Sequence, residues 1–194
     1  MRQGMAGEMA QTDRRKLTYD DYVLFPEDGK RHELIDGEHY VSPSPNTRHQ
    51  AVLGALYLAI GAFVKAQRLG RAFFAPYDVV FTRFDVVEPD LLFVGAGRSD
   101  VITAANLQGA PDLAVEVLSP SNRSYDEKLK RDLYERGGVA EYWLVDPEAE
   151  TVKVYRRASG GFERPVLLDR REGDALTTPL LPGFALPLDE LFAE

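Results

Sequence analysis

Apolar and polar positions repeat with different periods along this chain, and each period predicts a different element. "LTYDDYVLFP" reads as a short helix with Thr18 as N-cap and acids in its first turn. "RHELIDGEHYVSPSP" alternates and predicts a hairpin turning at Asp36-Gly37, because a type I′ turn needs positive φ at both central residues. "TRHQAVLGALYLAIGAFVKAQRLG" has a helical period, with Gly70 near its C-terminus. Ala51, Leu53, Leu56, Leu58, Ile60 and Phe63 cover much of that helix, which predicts a central element packed on several sides. "RAFFAPYDVVFT" and "VVEPDLLFVG" read as two strands joined by a tight turn at Arg83 to Asp85. "DLAVEVLS" is a third strand and the most apolar. "SYDEKLKRDLYERGG" is a helix stopped by Gly137-Gly138. "EYWLVD", "TVKVYRR" and a weaker "FERPVLL" are strands, and "LLPGFALPLDELF" closes with turns and a short helix. This order predicts one α/β domain over residues 17–194, a mixed β-sheet flanked by helices. Residues 1–16 lack such a pattern and read as a disordered tail, with Met5 and Met9 as alternative starts.

The 194 residues suffice for one domain with a real core. The absence of cysteine excludes disulfides and thiolate metal sites and fits a cytoplasmic protein. No apolar run is expected to reach the roughly 20 residues of a membrane helix, and the start lacks the apolar centre of a signal peptide. A net charge of −8 argues against a broad nucleic-acid-coating role. Locally the balance reverses: Thr47 to Ala72 holds Arg48, Lys65, Arg68 and Arg71 and no acid. That strip reads equally as a phosphate-facing surface or as a solvated helix face.

One stretch, "PDLAVEVLSPSN", carries a chemical puzzle, since Glu116 stands among apolar residues where an unpaired carboxylate costs several kcal/mol. Asp112 shares its strand face but lies about 13 Å away at roughly 3.3 Å per residue, too far to share a metal ion. It marks the strand start instead. Asp90 opens the strand "DLLFV"; if that strand pairs with "LAVEVLS", Asp90 and Glu116 meet across the sheet. Two adjacent carboxylates repel unless a cation lies between them, and oxygen ligands suit Mg²⁺ or Mn²⁺. The competing reading has each acid satisfied by a nearby backbone or basic group.

The helix that follows has two lysines. Leu129 and Leu133 define its expected buried stripe, Lys130 flanks that stripe, and Lys128 falls on the charged outer face. Lys130 is therefore the lysine turned toward the sheet, to balance the carboxylates or to snorkel from the core edge.

"EPDLLFV", "PDLAVEVLSPS", Lys130 and "LYERGGVAEYWLVDP", in that order, resemble the Uma2 family, as do "HELIDGE", "RHQ" and "LLPGFALPLDELF". The resemblance runs from about Leu17 to the C-terminus. It implies a restriction endonuclease-like fold of the PD-(D/E)XK superfamily in a bacterial protein. It also implies Asp90 and Glu116 as metal ligands and catalytic residues, with Mg²⁺ or Mn²⁺ as cofactor and DNA as substrate. The motif lysine would fall at Leu118, which cannot serve; the resemblance moves that role to Lys130 on the next helix. Glu33 in "HELIDGE" is a further metal contact or a plain hairpin side chain. A homodimer is the expected assembly, and a non-catalytic nucleic-acid- or protein-binding module is the rival function.

Other candidates carry less. His32, His39 and His49 do not show a metal-ligand spacing. His49, like Arg48, is a candidate nucleic-acid contact, against capping or surface placement. No Gly-rich phosphate loop or nucleophile-elbow signature is present; Ser119 and Ser121 read as turn and cap residues, and Trp143 as core.

Overall fold

The computed structural model describes residues 15–119 and 123–193. The expected disordered tail falls mostly on residues 1–14, and the expected cap Ser121 on residues 120–122, both outside the described residues. Lys16 already belongs to the fold: it pairs with Asp36, and the N–H of Leu17 donates to Gly37 O at 2.9 Å.

Helix α1 (Tyr19–Tyr22) precedes a hairpin of β1 (Arg31–Ile35) and β2 (Glu38–Ser42). Asp36 and Gly37 have φ of 53° and 75°, the two positive values that a type I′ turn requires. Helix α2 (Thr47–Gln67) leads into β3 (Gly70–Phe74), β4 (Val79–Thr82), β5 (Asp85–Val87), β6 (Leu91–Gly95), β7 (Leu107–Gln108) and β8 (Leu113–Val117). A π-helical stretch, Tyr125–Lys130, runs into α3 (Arg131–Gly137). Then come β9 (Glu141–Asp146), β10 (Thr151–Ala158), β11 (Gly161–Phe162), β12 (Val166–Asp169), β13 (Ala175–Thr177), β14 (Ala185–Pro187) and α4 (Leu188–Leu191).

Among the described residues the larger sheet runs β11-β10-β9-β8-β6-β3, with β12 also on β10, and a second runs β2-β1-β5-β4-β7. The β8–β9 and β4–β7 ladders are parallel and the others antiparallel, so the architecture is the predicted mixed α/β one. Three expected strands are each broken. "FERPVLL" is divided between β11 and β12 around Pro165. "RAFFAPYDVVFT" gives β3 and β4, and "VVEPDLLFVG" gives β5 and β6, with the halves in different sheets. Pro76 and Pro89 stand at the breaks; without an N–H they cannot continue a ladder.

Strand alternation sorts the core into two layers. Leu113, Val115 and Val117 pack with α2 and α4, whereas Ala114 and Leu118, which flank Glu116, pack with Leu133 and Tyr134 of α3. Trp143 is fully buried in the first layer, as expected. The α2 expectation needs correction. Its buried residues, His49, Val52, Leu53, Leu56, Ile60 and Val64, form one stripe, while Leu58 is 72% exposed. One side rests on the sheet and the opposite side is exposed among the described residues, so this is not a helix packed all round. By length and composition α2 does reach the span of a membrane helix, contrary to expectation, but Leu56 and Ile60 are fully buried in the core. Arg68, at φ 55°, closes the helix. Gly70 serves instead at the start of β3, where a Cβ would lie 2.1 Å from Val94 O.

Candidate active site

Leu91 pairs with Val115 and Leu92 with Ala114 across β6 and β8. One step further along that register places Asp90 opposite Glu116, both buried. The N–H of Val117 donates to Asp90 Oδ2 at 2.8 Å, which fixes the aspartate against the end of β8. Asp112 is elsewhere, as expected: it accepts from the N–H of Gly95 and from Arg98 Nη1, each at 2.7 Å, and anchors the strand start.

Glu116 is tolerated because it is not alone. Its Oε1 accepts from Lys130 Nζ at 3.0 Å and from the Tyr134 hydroxyl at 2.5 Å. Lys130, only 2% exposed, also lies 2.9 Å from Glu33 Oε1 and 3.8 Å from Asp126 Oδ1. Glu33 is fully buried; its Oε1 also accepts from the N–H of Glu88 at 2.8 Å, and its Oε2 has no hydrogen-bond partner. The helix carrying Lys130 does not follow the expected stripe. Leu129 is 38% exposed, while Asp126, Lys130, Leu133 and Tyr134 are buried. The wider i→i+5 turn of the π stretch changes the period before α3 begins and centres Lys130 on the buried face.

Asp90 is held by an arginine and a histidine. Arg31 Nη1 lies 2.9 Å from its Oδ1 and His49 Nε2 lies 3.1 Å from its Oδ2. Burial alone would raise the Asp90 pKa. The His49 hydrogen bond and the Arg31 charge outweigh that and hold the carboxyl well below the usual range. An ionised carboxylate only accepts, which assigns the proton on His49 to Nε2. Burial pushes the Glu116 carboxyl upward, with Lys130 opposing and Asp90 and Glu33 adding to the rise. Burial likewise raises Asp126. For Lys130 burial works against the charge, but Glu116, Glu33 and Asp126 together raise its pKa well above the ordinary value. Burial raises Glu88 to about 7.

The fold thus brings Asp90, Glu116, Lys130, Glu33 and His49 into one buried network. Arg48 is engaged otherwise, by Glu150 Oε1 at 3.1 Å and Phe192 O at 3.0 Å. His49 is buried on Asp90, away from the surface placement weighed for it; its main-chain N–H is capped by Asn46. Sequence reasoning missed Arg31, Tyr134 and Asp126. Arg31 had a signal, since it lies two residues before Glu33 on the same strand face. Tyr134 stands four residues after Lys130, on the same helix side. His32 and His39 meet on the hairpin at 2.9 Å, with Asp28 on the far nitrogen of His32.

The donor set suits a hard divalent cation. Each carboxylate offers about four acceptor sites, so Asp90 and Glu116 retain capacity beyond their present partners. Among the described residues no group of three or more His, Cys, Asp or Glu is placed to hold one ion. A groove of about 500 Å³, with Arg31, Gln50, Phe74 and Glu88 in its walls, opens beside this network.

A family model described as "Putative restriction endonuclease" matches residues 19–189. One similar solved structure is that of a putative nuclease belonging to DUF820 from Anabaena variabilis ATCC 29413. Its TM-score is 0.78 at 25% identity, over 91% of this chain and 98% of that one. No curated protein matches the chain.

Proposed function

The chain belongs to the Uma2 family, and from that membership we propose that it is a metal-dependent endonuclease hydrolysing DNA phosphodiester bonds. The observation that carries the reading is the meeting of Asp90 and Glu116 across β6 and β8, with Lys130 reaching Glu116 from the next helix at 3.0 Å. Asp90 and Glu116 would hold Mg²⁺ or Mn²⁺. When bound, such an ion lowers the pKa of a water and polarises a phosphate oxygen. Lys130 keeps its proton at neutral pH and sets a fixed positive charge beside Glu116, where it orients the nucleophile or stabilises charge on the phosphate. Glu33 and Tyr134 position that pair, Glu33 through Lys130 and Tyr134 through Glu116.

A second reading, a non-catalytic binding module that keeps the fold, draws on one observation. Arg31 and Lys130 already pair with the two acids, and His49 hydrogen-bonds Asp90. Incubation with plasmid and with single-stranded circular DNA separates the two readings, using Mg²⁺, Mn²⁺ or chelator beside Asp90→Ala and Glu116→Ala. Cleavage only by the wild type with metal is the expected result. Cleavage by all three proteins alike, or by none, overturns the nuclease reading.

A further inference from the structure

The seam between α2 and β3 continues the groove lined by Arg31 and Glu88, leading away from Asp90. Gln50 and Leu53 of α2 face Phe74 and Pro76 at the end near Arg31 and Glu88. Tyr57 meets Phe74 ring to ring at 4.5 Å, where the first groove gives way to a second of about 750 Å³. The second groove is bounded by Tyr57, Leu58 and Lys65 of α2, by Arg68, and by Arg71 and Ala72 of β3. β3 is the terminal strand of its sheet, so its outer edge lies along this seam.

Three features distinguish the seam. Lys65 and Arg68 are exposed and form no ion pair among the described residues, in a chain of net charge −8, and exposed Arg71 has no carboxylate partner among them but lies over the Phe73 ring at 4.7 Å. No acid lines the second groove, and Glu88 is the acid in the wall of the first. Exposed apolar side chains lie farther along the seam from the cations: Leu58 is 72% exposed and Phe74 49%. Cations without carboxylate partners, next to exposed apolar and aromatic side chains, suit a polyanion that also presents flat apolar faces. A single nucleic-acid strand has both, because its unstacked bases can lie on aromatic rings. A duplex encloses its base faces and offers phosphates alone.

We propose that the α2–β3 seam is a binding track for single-stranded nucleic acid, running from Lys65, Arg68 and Arg71 past Tyr57 and Phe74 to Arg31 beside Asp90. The fifteen residues from Gln50 to Lys65 rise about 22 Å at 1.5 Å each. That length spans at most about six phosphates, a number reached only at the stacked spacing of roughly 3.4 Å per strand. The proposal rests on the nuclease reading for the direction of the track, because the strand enters the cluster of Asp90 and Glu116 at its Arg31 end.

Binding can be tested without cleavage. Fluorescence anisotropy in chelator, with one labelled mixed-sequence oligonucleotide as a single strand and as a duplex, is measured over a salt series. The single strand is expected to bind at least tenfold tighter. Lys65→Gln/Arg71→Gln is expected to weaken it about tenfold and to lower the salt slope by about 1.4, at roughly 0.7 per phosphate contact. Phe74→Ala is expected to weaken binding about tenfold with the salt slope unchanged, since stacking releases no counterions. Melting curves confirm that each variant folds. Equal affinity for duplex, or wild-type affinity in folded Lys65→Gln/Arg71→Gln and Phe74→Ala, overturns the track; so does binding of an acidic peptide in place of the oligonucleotide. A protein that binds single strands through these residues but never cleaves leaves the track standing and sinks only the nuclease reading. Cleavage with unaffected seam variants does the reverse.

Discussion

Replacing Lys130 with methionine keeps the length of the side chain and removes the cation that holds Glu116 and Glu33. Lys130 lies 3.0 Å and 2.9 Å from those two carboxylates and is 2% exposed, so water cannot replace it in the folded chain. Removing one partner of a buried ion pair costs about 3–5 kcal/mol, because the remaining charge stays buried and unpaired. For a chain of this size each kcal/mol moves Tm by about 2–4 °C, so Lys130→Met should melt roughly 6–20 °C lower near neutral pH. The sign with pH follows from the shifts. The Lys130 pKa is raised in the folded state, so its stabilisation is complete below the unfolded value of about 10.4 and is lost only above it. In the variant Lys130 no longer opposes the burial that raises the Glu116 pKa, so the deficit should shrink as pH falls and Glu116 protonates. The double variant Lys130→Met/Glu116→Gln should recover part of the loss at and above neutral pH, since the uncompensated Glu116 carboxylate is gone. Thermal melts followed by circular dichroism from about pH 4 to pH 9 provide the assay. A single variant melting within about 2 °C of wild type across that range would refute the reasoning, since it would mean that Lys130 compensates no buried charge.

Three further outcomes are expected. Burial raises Glu88 from 4.5 to about 7, so the folded state binds its proton more tightly than the unfolded chain. Its contribution is greatest below pH 4.5 and is lost as pH rises toward about 7, so Glu88→Gln should flatten that part of the stability curve and exceed wild type above it. An unchanged slope contradicts this. Arg31→Gln removes a unit charge from Asp90 Oδ1, worth at least about 1 kcal/mol at contact, and should tighten Mn²⁺ binding about fivefold or more by calorimetry. Weaker binding would mean that Arg31 does not compete with the ion. Tyr134→Phe deletes a hydrogen bond to the buried Glu116 and should destabilise by about 1.5–3 kcal/mol in denaturant titrations, with wild-type stability as the contrary result.

Much of the site was legible because local rules and the wider fold agree there. The two-residue period put Glu116 on a face away from Val115 and Val117, and the length of a straight strand removed Asp112 as its partner. The Asp36-Gly37 turn was readable because few residue pairs accept its backbone. Lys130 was identified through an α-helical stripe that does not exist, since Leu129 is exposed; the lysine faces inward because a π turn, which leaves no clear mark in the sequence, resets the period. Arg31 and His49 reach Asp90 from elements 59 and 41 residues away in sequence, distances at which no local pattern operates. The same limit hid the exchange of chain between sheets at Pro76 and Pro89. A proline marks a break without saying where the chain goes next.

The account stands or falls on Asp90 and Glu116 jointly holding the ion that supports hydrolysis. The direct test is one titration of Mn²⁺ into the wild type, Asp90→Asn and Glu116→Gln, following bound metal and the nicking of supercoiled plasmid in the same samples. The account predicts that binding and nicking saturate together in the wild type and that either substitution removes both. Metal bound equally by all three proteins, or nicking that persists when Asp90 or Glu116 is replaced, would contradict it.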